Sequence, residues 1–365
     1  MNSRTPDPTI PFRSSIRGHT PPMEAAANRT PPDGRALNVL VWHAHGSWMT
    51  SFVQGGHNYL LPTDPKYPES NEWALGRCGR PWPYTAREVA PSALAHEHVD
   101  VVVLQRPREL ELAREWLGRT PGVDLPAVFV EHSTPREHAA LSRHPLAERS
   151  DILLVHVTQF NRLMWDNGRA PVTVIPHGMR DPGHRYSGEL PRAASIINEP
   201  VRRWRITGTD LLAPLSQAAP IDVFGMGTEN LHQAVGTTPE RVYGAGDHEQ
   251  QHLYVELARR RVFVHTPRWT SLGLSVIEAM YLGMPIVAVG TTEAPASIPT
   301  EAGVISTEPE VLAEGIRQFV HEPFFAEAAG RAARHWAHAN FGIDRFTDSW
   351  DRLLTGLAAE RPVRS

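Results

Sequence analysis

Short apolar runs recur along the chain, separated by polar stretches with helical spacing. The first set covers 37–43, 99–104, 127–130, 152–155 and 172–175. Each run is β-branched and nearly continuous rather than alternating, the pattern of strands buried on both faces. Residues 109–117 lie between two of them and combine helix formers with apolar positions three and four apart. Strand–helix alternation of this kind predicts a parallel sheet covered by helices. The rhythm breaks at Pro176-His177-Gly178 and the polar run up to Pro191, which marks a domain boundary. It then restarts, with strands expected at 193–197, 221–224, 262–265, 285–289 and 303–305, and helices at 253–260, 274–282 and 309–320. Two amphipathic segments follow, 325–340 and 343–357; Phe346, Trp350, Leu353 and Leu354 share a face of the second. The expected organisation is a disordered, proline-rich tail (1–35), an N-terminal Rossmann-like domain (36–178), a C-terminal one (179–340), and a helix (341–365) packing back toward the first domain. Residues 63–84, crowded with proline, glycine and aromatics, read as a surface excursion. The fold class is therefore α/β, two doubly wound parallel-sheet domains facing a central cleft.

Composition narrows the function. A net charge of −4 gives no reason to expect nucleic acid or an anionic membrane as partner. Hydrophobic residues at 41% can build two cores, yet no run reaches the roughly 18 residues that span a bilayer. A cytoplasmic setting without stable membrane insertion is the expectation. Cys78 is the only cysteine, which excludes an intramolecular disulfide framework. Lys66 is the only lysine, so arginine must supply almost all cationic chemistry. The pairs His43/His45 and His96/His98 lack carboxylates at a metal-hydrolase spacing, and no G-x-S-x-G nucleophile elbow is present. No metal and no cofactor are expected.

The most informative stretch runs from Arg268 to Val287. A strand ends near Thr266-Pro267, a loop of small residues carries Gly273, and a helix starts at Leu274 and stops at Gly283-Met284-Pro285. Such a loop offers free backbone N–H groups and the positive end of a helix dipole to an anion. Glu278, one turn inside the helix, can accept hydrogen bonds from ligand hydroxyls.

This stretch resembles the nucleotide-sugar motif of retaining GT-B glycosyltransferases of the family 4 type, E-G-F-G-L-x-x-x-E-A-M-A-x-G-x-P-V-V. Gly273-Leu274, Glu278-Ala279-Met280, Gly283, Pro285 and Ile286-Val287 are in register. The motif's first glutamate is absent, and Thr270 stands in its place. The resemblance extends over roughly 36–356. It takes in the hinge-like segment 172–178, the strand and turn 221–227, the helix start 207–212 and the segment 242–247.

The resemblance implies roles. Glu278 holds the nucleotide ribose; Gly273, Leu274 and Ser275 meet the donor diphosphate; Thr270 and Ser271 lie at the donor sugar. Thr207 occupies the position of a phosphate-binding lysine, so Arg203 and Arg205, from the run Arg202 to Arg205, are expected to replace it. His132, ending the run 127–131, is expected beside the transferred sugar, and Gly46 in a loop that lets backbone approach the ligand. The implied activity is metal-independent transfer of a sugar from a nucleoside-diphosphate sugar donor to a carbohydrate or small-molecule acceptor, with retention. A catalytically silent nucleotide-sugar-binding protein of the same fold is the alternative, prompted by Thr270. A third reading, a GT-B epimerase or phosphorylase, lacks its expected carboxylate pairs and cofactor lysine.

Overall fold

A computed structural model describes residues 34–64, 72–136 and 138–359. Nearly all of the expected tail, Lys66 and the last six residues lie outside them.

The first domain contains β1 (Asn38–Val41), α1 (Gly46–Phe52), β2 (Asn58–Pro62), β3 (Ala86–Val89), β4 (Val101–Leu104) and α2 (Arg108–Leu117). It continues through β5 (Ala127–Glu131), β6 (Leu153–His156), α3 (Gln159–Met164) and β7 (Val172–Val174). All seven strands are parallel, in the order β3-β2-β1-β4-β5-β6-β7.

The second domain runs β8 (Leu190–Ile196), α4 (Pro200–Thr207), α5 (Leu212–Leu215), β9 (Ile221–Phe224), α6 (Leu231–Ala234), β10 (Val242–Gly246) and α7 (Gln250–Arg259). Then come β11 (Arg260–His265), α8 (Leu274–Leu282), β12 (Ile286–Val289), α9 (Ala294–Ser297), β13 (Gly303–Ser306), α10 (Pro309–His321) and α11 (Pro323–Phe341). Its six strands are also parallel, ordered β10-β9-β8-β11-β12-β13.

The central strands β4 (Val-Val-Val-Leu) and β12 (Ile-Val-Ala-Val) are buried at every position, because helices cover both faces of each sheet. Each sheet has one apolar cluster on either side. In both sheets strand order reverses once, at β1/β4 and at β8/β11. Ligands of doubly wound folds bind outside the carboxyl ends of the strands at these points.

The last helix, α12 (Ile343–Ala359), leaves the second domain and lies on the first. Phe346, Trp350 and Leu354, four residues apart, bury one stripe. Trp350 meets Trp48 and Phe52 edge-on at ring-centroid distances of 5.6 and 5.2 Å. Asp351 on the same stripe faces the buried His57 at 3.6 Å and accepts hydrogen bonds from the Gly56 backbone N–H at 3.4 Å.

The carboxyl ends of the two sheets face one another. Beyond β6 and β11, the hydroxyls of Thr158 and Ser271 are 3.4 Å apart. Trp269 Nε1–H donates to the Pro135 carbonyl at 2.6 Å, and the Phe160 N–H donates to Glu293 at 2.8 Å.

Candidate functional site

α8 begins where β11 ends. Gly273 is its N-cap in extended conformation, and no side chain caps the helix, so its first N–H groups face the cleft. The site above Gly273 is close: a Cβ there would stand 3.0 Å from the His265 ring. Burial holds His265 at a pKa of about 4, hence neutral. Leu274 turns its side chain into the core, which leaves its backbone for the cleft; Ser275 is half-buried. At the other end Gly283 adopts φ +89°, where an L side chain would be strained, and closes the helix.

Glu278 lies on the first turn and a half of α8 and points back toward α7. Its Oε1 accepts from the Tyr254 hydroxyl at 2.9 Å and from Gln250 Nε2 at 3.4 Å. Burial raises the Glu278 carboxyl above its ordinary value, while these two donors pull it back. The carboxylate is thus oriented, with lone pairs to spare for a ligand hydroxyl. Tyr254 and Gln250 escaped the sequence reading because only the packing of α7 on α8 brings them there.

The expected phosphate-binding arginines separate. α4 kinks at Trp204, whose φ of +30° is non-helical. Arg205, after the kink, pairs with Asp210 at 3.0 Å, and Arg268 bonds the same carboxylate at 2.5 and 3.0 Å. Arg205 and Arg268 thus share the single Asp210 carboxylate, so Arg205 is ion-paired in the structure rather than unpartnered. Arg203, before the kink, makes no ion pair among the described residues. Burial, then Arg202 and Arg136, push its guanidinium below the ordinary value. Arg136 belongs to the first domain, so a cation from across the cleft acts on Arg203. Thr207 is buried and bonds Thr209 at 3.0 Å.

The loop between β11 and α8 divides as well. Ser271, expected at the donor sugar, is buried against Thr158 of the first domain. Thr270 beside it is half-buried and has no hydrogen-bond partner among the described residues.

In the first domain three neighbouring strands end in polar groups. His45 follows β1, Gln105 follows β4 and His132 follows β5. The imidazoles of His45 and His132 stack with centroids 3.9 Å apart and planes at 22°. Trp48 meets His132 edge-on at 5.1 Å. Desolvation is the chief cause that lowers His45 to about 4 and His132 well below its usual value, although His45 keeps an exposed edge. His177, at the hinge, is lowered to about 4 for the same reason. Gly46 does not sit in a loop as expected. It opens α1, and a Cβ on it would collide with the Arg80 guanidinium at 2.5 Å. Its small size makes room for that arginine. Among the described residues no group of three His, Cys, Asp or Glu side chains could hold a metal ion.

Two parallel-sheet domains with facing switch points form an architecture shared with solved structures. The structure superimposes on sucrose-phosphate synthase from Thermosynechococcus elongatus with a TM-score of 0.65 at 15% identity, covering 89% of this chain and 100% of that one. HepE of Anabaena in complex with UDP gives 0.65 at 14% identity, over 88% and 100%. The fold is GT-B. Within it, residues 238–336 match the family model described as glycosyl transferases group 1, and this segment holds β11, α8 and Glu278. The alpha-1,3/1,6-mannosyltransferase of Rhizomucor pusillus is 25% identical over 163 residues, 43% of this chain and 35% of the relative. The match thus spans about a third of that relative's length. The GT-B cleft lies between the α8 N-terminus and the His45–Gln105–His132 group. No helix among the described residues is long and apolar enough to cross a membrane.

Proposed function

We propose that the chain is a glycosyltransferase that moves a sugar from a nucleoside-diphosphate sugar to an acceptor hydroxyl. One observation carries the reading. An uncapped helix N-terminus stands at the switch point of the second domain, with an oriented carboxylate, Glu278, one turn inside the same helix. That spacing suits a diphosphate on the N–H groups and a ribose on Glu278. HepE, of the same fold, is known in complex with UDP, and with UDP and glucose, which supports a nucleotide-sugar donor here.

The bond to be broken joins the anomeric carbon to the diphosphate, so negative charge gathers on the leaving group. The dipole and N–H groups of α8, with Arg203, are placed to stabilise that charge without a bound cation. The first domain supplies the acceptor side, where neutral histidines present hydrogen-bond acceptors and buried Trp48 backs the His132 ring. Closure of the domains would keep water from competing as acceptor. Retention of anomeric configuration follows from the resemblance of the 268–287 stretch to retaining enzymes.

The test is a thermal-shift screen across UDP, GDP and ADP sugars, followed by an assay for release of nucleoside diphosphate, with Glu278→Ala beside the wild type. Stabilisation and turnover by one donor, both weakened in Glu278→Ala, are the expected result. Stabilisation without turnover on any acceptor would favour a silent binding protein. No stabilisation by any donor would overturn both.

A further inference from the structure

Gln105 has not been given a role, yet its backbone and side chain bond Glu109, Trp42, His45 and His132 at once. Its backbone N–H donates to the buried Glu109 carboxylate at 2.6 Å, and Arg106 Nε donates to the other oxygen of that carboxylate at 2.7 Å. The turn after β4 is thereby fixed. Its side-chain Nε2 stands 2.7 Å from the Trp42 carbonyl oxygen. A carbonyl can only accept, so the amide must turn its NH₂ to Trp42; the flipped amide would set two acceptors against each other. The amide oxygen then faces the two stacked imidazoles. It lies 3.3 Å from His45 Nδ1 and 3.0 Å from His132 Nε2.

One oxygen between two ring nitrogens decides both tautomers. Each nitrogen must carry the proton it shares with Gln105, and the opposite nitrogen of each ring must carry a lone pair. Those opposite nitrogens, His45 Nε2 and His132 Nδ1, have no protein partner among the described residues, and neither is sealed from water. Two rings stacked at 3.9 Å also resist simultaneous protonation, since like charges so close repel.

We propose that Gln105 is a positioning residue that locks His45 and His132 as a pair of neutral hydrogen-bond acceptors for sugar hydroxyl groups in the cleft. The ligand part rests on the proposed transferase function; the lock itself rests on the geometry alone. Hydroxyls suit the pair because an O–H can donate to a lone pair, whereas a phosphate would meet no donor at these nitrogens.

The test reads the ring nitrogens directly, by long-range ¹H–¹⁵N correlation of the ¹⁵N-labelled full chain without ligand at pH 7. The two resonance sets are assigned by their disappearance in single histidine substitutions. The lock predicts a proton on Nδ1 of His45, the less common tautomer of free histidine, and on Nε2 of His132. In Gln105→Leu, His45 should revert to the Nε2–H form. A proton on Nε2 of His45 in the wild type, or no change in Gln105→Leu, overturns the proposal. Should Gln105→Leu fail to fold, Gln105→Met keeps the side-chain length without an amide oxygen and should give the same reversion of His45 to the Nε2–H form; a retained Nδ1 proton there overturns the lock. Nucleoside-diphosphate release then separates the two readings. With a turning-over wild type, Gln105→Leu should lower kcat/KM about a hundredfold, as a misplaced contact does; unchanged kcat and KM would sink the positioning role. No release by any donor, with the tautomers as expected, would sink the transferase reading and leave the lock standing.

Discussion

Arg203 and Arg205 are two residues apart in sequence and differ entirely in what surrounds them. Arg205 is exposed and already shares Asp210 with Arg268, so a ligand phosphate would have to compete with a carboxylate. Arg203 is half-buried and makes no ion pair among the described residues, and burial, Arg202 and Arg136 all push its guanidinium below the ordinary value. Arg203→Glu should therefore weaken nucleoside-diphosphate binding about tenfold or more, the scale of a charge-assisted bond to phosphate. Arg205→Glu should change it little. Calorimetric titration with UDP and GDP compares them, and equal losses in the two variants would show that the pairing does not matter. Glu278 makes a complementary case. Tyr254→Phe removes one donor to Glu278 and leaves the carboxylate itself in place. The same titration should show a smaller loss than in Glu278→Ala, because the hydroxyl orients a group that the alanine variant deletes.

At the scale of elements, α12 is a helix whose apolar stripe is legible in the sequence. The repeat Phe346, Trp350, Leu354 announces a buried stripe, which Trp48 and Phe52 of the first domain receive. Deleting the Trp350 ring should cost about 3–5 kcal/mol in unfolding free energy, the usual range for a buried large aromatic. A urea titration of Trp350→Ala checks this, and a loss below 1 kcal/mol would mean that the helix is only loosely docked. The apolar runs that became β1, β4, β5, β6, β9 and β12 were legible for the same reason, burial on both faces. β2, β3 and β10 were not read as strands. β3 and β10 are outer strands, and β3 (Ala-Arg-Glu-Val) exposes its middle pair, so no apolar run is required; β2 is an inner strand buried from Tyr59 to Pro62, a four-residue run that the sequence reading passed over. α1 was hidden because its first residue is the glycine read as a loop. The candidate site divides along the same line. Gly273 and Glu278 sit in one continuous segment and carry a local pattern. Gln105, Tyr254 and the ion pairing of Arg205 arise only when distant segments pack. A polar residue placed directly after the buried run Val-Val-Val-Leu was the one signal that pointed to Gln105.

The whole molecule combines a buried-histidine load with a contact that spans the cleft, and each gives a testable property. His57, His177, His43 and His265 are each held near a pKa of about 4, chiefly by burial, against 6.5 when unfolded. Between those values the unfolded chain binds protons that the folded chain refuses. The histidine contribution is therefore intact above pH 6.5 and is lost progressively as pH falls toward 4, at up to about 1.4 kcal/mol per unit for each group. Calorimetry should show Tm falling across that interval, and a flat profile would contradict neutral burial. Closure rests on fewer groups. Trp269, from the loop that feeds α8, reaches the first domain twice: its N–H bonds the Pro135 carbonyl at 2.6 Å and its ring meets Phe160 at 5.6 Å. Glu293 adds a carboxylate on the N–H of Phe160, at the start of α3. The same loop thus both presents the α8 N-terminus and ties the domains together, so a ligand on α8 and domain closure should be coupled. Trp269→Ala removes the larger tie without touching Glu278 or Arg203. Small-angle scattering should show a larger radius of gyration in the variant than in the wild type, with the difference reduced by a bound nucleoside diphosphate. The variant should also divert turnover from transfer toward hydrolysis, because an open cleft admits water. Identical scattering and an unchanged ratio of transfer to hydrolysis would show that Trp269 takes no part in holding the cleft shut.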